Sequence, residues 1–343
     1  MKIKNYDRFK WLFLAMTITA LGLSLIGMRD IRSTPYAGFE LSSDYKVIRV
    51  APTSPAALAG MKVGDRLIEV GGVPTQKLYQ LSKLSRPTID EEQQVAVMRN
   101  QVRHDLSLKQ VPLPVGEQLI LWAKNFMALT MIATGFAMFW AHRNKVGSLF
   151  LLFNLFAALA LMTPPYFQSF ALRKIVALNF LVFLSLALAL LLHLTLVFPK
   201  PKPSVIDTPV ELFIYFPVPI AAIFYAVFRL FQPEADLLLN QALNYAFALL
   251  VSACVALVLA ALAHSFWTSA RSNRTLLAGV LLCSVIGLIP IALKVVVDSF
   301  LPQVTLAGRD VYELLPLLVT LSLAWAISEI SPPEDFAGLQ RAA

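Results

Sequence analysis

Charged residues are scarce in this chain. Only 15% of its 343 residues are Asp, Glu, Lys or Arg, whereas 57% are hydrophobic. An average soluble protein carries about 25% charged residues, so the composition excludes an ordinary soluble globular protein. The apolar residues form runs long enough to cross about 30 Å of hydrocarbon at about 1.5 Å per helical residue. The composition therefore predicts a polytopic α-helical protein of the inner or plasma membrane, surrounded by the lipid bilayer.

Cysteine and histidine are also scarce, which argues against metal chemistry. The two cysteines, Cys254 and Cys283, lie in apolar runs and have no spacing typical of a disulfide framework or a zinc site. The chain has no H-E-x-x-H pattern, no G-x-S-x-G sequence and no phosphate-binding glycine loop. We therefore expect no catalytic residue, no metal and no cofactor, and the protein is not predicted to be an enzyme.

The apolar runs predict about eight membrane spans. The first, at residues 11–28, follows a basic segment at residues 1–10 and is expected to be an uncleaved signal anchor. The other seven form a predicted helical bundle at residues 117–328, followed by a short tail at 329–343. The seven predicted spans are 117–140, 146–162, 175–198, 210–231, 242–267, 275–300 and 311–328.

Basic residues predict the orientation of these spans, because cytoplasmic loops are enriched in Lys and Arg. With the first residues inside, the short cytoplasmic loops hold Arg143, Lys145, Lys200, Lys202, Arg271 and Arg274. The short outer loops hold Arg173, Lys174 and Arg309. Both ends of the chain are therefore expected in the cytoplasm, and residues 30–113 outside it. This distribution explains much of the net charge of +8, so we expect no nucleic-acid partner.

Residues 30–113 form a polar segment that is predicted to fold as a small α+β domain. The predicted strands are 46–50, 66–70, 94–99 and 102–108, with a hairpin turn at Asn100 and Gln101. Ser54 is placed to cap a short helix that runs through Leu58. Apolar residues at every third position predict an amphipathic helix at 76–84.

Two motifs in this segment resemble those of bacterial PDZ domains. They are the sequence Gly38-Phe39-Glu40-Leu41 and the run from Ser54 to Asp65, S-P-A-A-L-A-G-M-K-V-G-D. The resemblance implies that backbone N–H groups at Gly38, Phe39, Glu40 and Leu41 receive the carboxylate of a peptide or protein C-terminus, which adds as a strand. It also implies an apolar pocket formed by Phe39, Leu41, Leu78 and Leu81. The alternative is that these side chains fill the small core of the domain.

The arrangement of one helix, an outward PDZ domain and seven helices resembles the membrane input module of PDZ-containing bacterial sensor histidine kinases. The sequence from His193 to Pro199 also resembles the H-x-x-x-x-F-P motif of that group. Residues 329–343 contain no phosphoacceptor helix and no ATP-binding region, so kinase activity is not expected. Two alternatives then follow from the resemblance: the output comes from a separate cytoplasmic signalling partner, or the chain is a sensor-like module with another role.

Three polar residues inside the predicted spans form a possible membrane polar site. His193 would bond a neighbouring helix, or would act in ligand binding or switching. Lys294 and Asp298 are four residues apart on one helix face, where they would pair and line a cavity. The alternative is that the Lys294 side chain extends to the membrane surface.

Taken together, these features favour a non-catalytic membrane sensor or receptor whose PDZ domain binds a peptide or a protein C-terminus. The first alternative is an envelope scaffold that recruits partners through the PDZ groove. By the resemblance, this groove lies between residues 39–43 and the predicted helix at 76–84. An unrecognised transporter or intramembrane enzyme is the second alternative.

Overall fold

The computed structural model describes residues 6–42, 45–75, 84, 86–202, 214–215, 237–301, 304, 306 and 309–330. Three predicted features lie wholly or mostly outside the described residues. They are the predicted helix at 76–84 except its last residue, nearly all of the predicted span at 210–231, and residues 331–343 of the tail. The described helices are α1 (Tyr6–Asp30), α2 (Pro55–Leu58), α3 (Val115–Ala141), α4 (Lys145–Leu161), α5 (Phe170–Val197), α6 (Leu237–Thr268), α7 (Arg271–Phe300), α8 (Arg309–Tyr312) and α9 (Pro316–Glu329).

The strands lie between α1 and α3 and form three antiparallel sheets. They are β1 (Pro35–Tyr36), β2 (Phe39–Leu41), β3 (Val47–Val50), β4 (Arg66–Val70), β5 (Val73–Pro74), β6 (Glu92–Arg99), β7 (Val102–Lys109) and β8 (Val111–Pro112). The largest sheet has the order β5-β4-β6-β7, while β2 pairs with β3 and β1 pairs with β8. We call residues 35–112 the strand-rich domain.

Local sequence signals correctly predicted several features of this domain. The four predicted strands are present as β3, β4, β6 and β7. Asn100 and Gln101 both have positive φ angles, 48° and 65°, as a tight turn between two strands requires. The Ser54 hydroxyl accepts a hydrogen bond from the N–H of Ala57 at 3.2 Å and so caps α2.

A small apolar core and one buried ion pair hold the domain together. The core consists of Val47, Ala56, Met61, Leu67, Val95, Val97 and Leu108. Beside it, the Asp65 carboxylate accepts hydrogen bonds from Nε and Nη2 of Arg99, each at 2.7 Å, and from the N–H of Lys62 at 2.8 Å. Arg99 also donates to the carbonyl of Gly60 at 2.7 Å. This pair joins the start of β4 to the end of β6.

The strand-rich domain is inserted between two helices through a closed neck. Tyr36 of β1 pairs with Val111 of β8, so the chain enters and leaves the domain at one place. The helices α1 and α3, which flank the neck, pack against each other. The Ser24 hydroxyl donates to Oδ1 of Asn125 between them, at 3.3 Å. The position of the domain is therefore fixed at the end of one helix pair.

The long helices form a bundle by packing mainly against neighbours in the chain. The contacts run from α3 to α4 to α5, then from α6 to α7 to α9, and α9 returns to α3. Gly135 of α3 allows close approach to α4, because a Cβ added there would lie 2.9 Å from Cβ of Asn154. The buried Asn154 amide oxygen accepts a bond from the Thr320 hydroxyl at 2.7 Å, which links α4 to α9.

In the described part of the chain, four helices are long and apolar enough to cross a membrane: Lys10–Ser33, Val115–Ala141, Gln241–Thr268 and Arg271–Phe300. Shorter apolar helical stretches are Lys145–Leu161, Val182–Val197 within α5, and Pro316–Glu329. The prediction of one continuous span at 311–328 is wrong at its beginning. Helix α9 starts at Pro316, since a proline has no N–H to continue a helix from the preceding turn.

The ion pair of Asp65 makes the domain sensitive to acid. The hydrogen bonds from Arg99 hold the pKa of this carboxyl below its usual range, so its contribution to stability is complete above about pH 4 and is lost as the pH falls through the lowered pKa. Asp65→Asn should lower the stability of the domain by about 1–3 kcal/mol at neutral pH. Hydrogen exchange of β4 and β6 amides in the full-length protein measures this loss.

The matched control is Asp105→Asn. Asp105 bonds Arg103 at 2.9 Å, but its side chain is 67% exposed, and exposed pairs contribute little. Equal acceleration of exchange in both variants would contradict the role given to Asp65.

Candidate peptide-binding site

The loop before β2 has a backbone conformation that only glycine adopts easily. Gly38 has a φ of +82°, and a Cβ added there would lie 2.1 Å from Cβ of Ser54. Its carbonyl accepts hydrogen bonds from the N–H of Ala51 at 2.8 Å and from the Ser54 hydroxyl at 3.2 Å. The carbonyl of Ala37 accepts from the N–H of Ala56 at 2.9 Å. Both carbonyls of the loop therefore point toward α2 and the end of β3.

This arrangement directs two successive N–H groups the other way. In a planar trans peptide the N–H is opposite to the preceding C=O. The N–H groups of Gly38 and Phe39 therefore point away from α2 and β3, toward the outer side of β2. Successive backbone N–H groups around a left-handed residue form a concave anion-binding site. The loop has both of these features, a left-handed residue at Gly38 and two successive outward N–H groups.

The outer edge of β2 lies directly beside this loop. On its inner side β2 pairs with β3, in the register Phe39 to Val50 and Glu40 to Arg49. In the part of the chain that the structure describes, no strand pairs with the other edge of β2. An edge strand presents a row of backbone donors and acceptors to which an extended peptide can add. The loop at Gly38, with its outward N–H groups, therefore lies at one end of this strand edge.

The side chains of β2 divide between the core and the surface. Phe39 and Leu41 are partly buried and pack against the core of the domain. The carboxylate of Glu40 pairs with Arg49 at 3.0 Å on the surface. Phe39 and Leu41 therefore contribute to the core of the domain. Leu78 and Leu81 lie outside the described residues.

The loop also lies close to the helical bundle. A Cβ at Gly38 would be 3.1 Å from the ring of Tyr36, and the Tyr36 hydroxyl donates to the Glu117 carboxylate in the first turn of α3. Burial and the negative charge of Glu117 raise the pKa of Tyr36. One tyrosine side chain therefore spans the distance from the loop to the start of α3.

The predicted membrane polar site contains a residue that the sequence analysis missed. The Lys294 ammonium is paired with the Glu313 carboxylate, which also pairs with Lys124 at 2.7 Å. All three side chains are less than a quarter exposed, so Lys294 lies in an ion network joining α3, α7 and the break between α8 and α9. Asp298 lies one helical turn after Lys294.

His193 lies apart from this network, near the opposite end of the bundle. It is buried in α5, and its Nδ1 is 2.8 Å from the hydroxyl of Tyr215. The structure therefore gives His193 a polar contact with another segment of the bundle. In the same region Lys202 donates to the Ser265 hydroxyl of α6 at 3.0 Å.

Breaking the ion network should destabilise the bundle. Glu313→Gln would leave two mostly buried ammonium groups near each other. Breaking a buried ion pair in this way costs about 3–5 kcal/mol. We expect the melting temperature of the detergent-solubilised protein to fall by several degrees, and Lys294→Met in the same chain to restore part of the loss. Glu329→Gln is the control, because Glu329 is exposed. Equal melting temperatures of the two single variants would contradict this.

Comparison with known protein families identifies the strand-rich domain. The family model for the PDZ domain matches residues 46–92, which include β3, α2, β4 and β5. The match begins eight residues after Gly38, so the loop at Gly38 and β2 precede it. No match to a curated protein was found. The chain therefore contains a PDZ domain, a module that generally binds peptide C-termini or proteins, together with several long apolar helices.

Proposed function

We propose that this protein is a non-catalytic membrane receptor whose PDZ domain binds the C-terminus of an extracytoplasmic peptide or protein and passes the binding event to the helical bundle. The main support for C-terminus binding is the conformation of the loop at Gly38. Its carbonyls are held by α2 and β3, and its N–H groups point to the edge of β2. A carboxylate in this loop would place the preceding peptide residues along that edge.

Contacts made by Tyr166 support the proposal that the binding event is passed to the helical bundle. Tyr166 lies in the connection between α4 and α5, and its hydroxyl donates to the carbonyl of Pro87 in the PDZ domain at 2.9 Å. The Arg86 guanidinium lies 4.7 Å from the centre of its ring. The backbone N–H of Tyr166 donates to the Asp30 carboxylate at the end of α1, at 3.0 Å. One residue of the bundle thus contacts both the PDZ domain and the helix that precedes it.

We place the bundle in the membrane with about eight spans, the PDZ domain outside and both ends of the chain in the cytoplasm. The loop charges support this orientation. The positions of the connections also fit it, since the α4–α5 connection lies beside the PDZ domain, whereas Lys202 and Ser265 meet at the other end of the bundle.

A scaffold that holds a partner without signalling would use the same groove. The Tyr166 contacts favour the receptor, because they tie the bundle to Arg86 and Pro87 of the PDZ domain. These two residues closely follow the predicted helix at 76–84 in the sequence. A receptor also requires that the ligand prefer one of two arrangements of the protein. The two functions therefore differ in whether ligand binding changes the bundle.

The carboxylate loop is tested by Gly38→Ala. The added Cβ would collide with Ser54, so the loop must move. A peptide is first selected from a library of free C-termini on the full-length native protein in nanodiscs. We expect this peptide to bind Gly38→Ala at least tenfold more weakly than it binds the native protein. The same peptide with an amidated C-terminus should lose affinity for the native protein.

Gly72→Ala is the matched control for this experiment. Gly72 has a similar φ of +78°, but nothing lies within 4 Å of its added Cβ, so it reports the backbone cost alone. Hydrogen exchange of β6 and β7 checks that both variants fold. Equal peptide affinity in the two variants, or a library that yields no binding peptide, would contradict the proposed site.

The coupling is tested by Tyr166→Ala, which removes the contacts with Arg86 and Pro87. Binding of the selected peptide should change hydrogen exchange in residues 163–169 of the native protein. This peptide-induced change in exchange should be lost in Tyr166→Ala, while the variant's affinity for the peptide should stay within about twofold of that of the native protein. Gln168→Ala, which alters an exposed side chain in the same connection, should keep the change in exchange. A native protein whose bundle exchange is unchanged by bound peptide would favour the scaffold.

A further inference from the structure

We propose that the partner's C-terminal tail enters the groove from the end of the PDZ domain farthest from the helices. Its carboxylate then comes to rest beside the bundle. The partner is therefore an extracytoplasmic protein with a free tail, or a membrane protein with a long one. It is not a protein that ends shortly after a membrane span. This inference rests on the proposed function and adds the direction of binding and the class of partner.

The carboxylate end of the groove is the end next to the helices. Gly38 lies two residues after Tyr36 of β1, which pairs with β8 at the neck of the domain. The Tyr36 ring borders Gly38, and its hydroxyl bonds Glu117 in the first turn of α3. The loop is therefore near the point where the chain enters and leaves the bundle.

The other end of β2 lies toward the far end of the domain. Leu41 pairs with Val47, whose N–H donates to the carbonyl of Asp65 at 2.7 Å. Asp65 in turn bonds Arg99, which immediately precedes the turn at residues 100–101. That turn lies at the end of β7 opposite to the end that leads through β8 into α3. A chain of contacts thus places the end of β2 on the side of the domain away from the bundle.

These positions fix the direction of a bound chain. If the terminal carboxylate occupies the loop before β2, the preceding residues must lie beside Phe39 to Leu41. The ligand strand then runs antiparallel to β2, from the far end toward the helices. Three strand residues span about 10 Å, so the groove reads the last few residues of the partner before the chain emerges at the far end.

This polarity discriminates between classes of membrane partner. A tail that leaves a membrane span on the same side runs away from the bilayer, which is opposite to the direction required. To bind, it must extend past Leu41, turn back and pair with β2. Three or four residues for each strand segment and a few for the turn make about ten residues the shortest tail. A soluble extracytoplasmic protein has no such limit.

The experiment uses photocrosslinking in native membranes with the full-length protein. A benzoylphenylalanine replaces Glu40, on the outer face of β2, or Lys46, which is exposed in the turn beyond its far end. Mass spectrometry identifies the partner residue joined at each position. We expect the photoreactive residue at position 40 to capture about the last four residues of a partner. The one at position 46 should capture residues about three to five positions earlier in the same tail.

The outcomes separate the inference from the proposed function. Crosslinks to internal segments, or no crosslinked partner, would overturn the proposed function and the inference with it. Terminal crosslinks in the reversed order would overturn both the carboxylate loop and the inference, while binding of a C-terminus to the PDZ domain would stand. A partner whose tail has fewer than about ten residues after its last span would overturn the inference alone. Both crosslinks should be lost when Gly38→Ala is added and kept when Gly72→Ala is added.

Discussion

The proposed binding surface depends on one hydroxyl group, that of Ser54. It donates to the carbonyl of Gly38 and accepts from the N–H of Ala57, so it caps α2 and orients the loop before β2 at the same time. A cap of this type contributes about 1 kcal/mol to a helix. Here the same contact determines where the N–H groups of the loop point. The stability of a one-turn helix is therefore linked directly to the geometry of the site.

A second constraint places that site at the junction with the bundle. Because β1 and β8 pair at the neck, the loop, the first turn of α3 and the end of α1 are near each other. The Tyr166 contacts and the ion network around Glu313 lie on the same side of the bundle. The proposed binding site and the groups that hold the helices together are thus neighbours, which is the arrangement that a relay would need.

Local patterns in the sequence predicted the strands, the Ser54 cap and the hairpin turn, because each depends on residues a few positions apart. The partners that come from distant segments were not found. Asp65 precedes β4 and Arg99 ends β6, so the two residues are 34 positions apart in the chain. Lys294 meets Glu313 across a helix break that the apolar run at 311–328 conceals. No sequence pattern indicated the contacts of Tyr166. Such contacts depend on the packing of the whole chain, which a single sequence does not specify residue by residue.

The most direct test of the account is the amide resonance of Gly38 in full-length protein labelled with ¹⁵N-glycine. The account places this N–H in a hydrogen bond to the terminal carboxylate of a bound peptide. A saturating free-carboxylate peptide should therefore move the Gly38 proton resonance downfield, whereas its amidated form should not, and the Gly72 resonance should stay in place. A peptide that binds through its C-terminus without moving the Gly38 resonance would contradict the account.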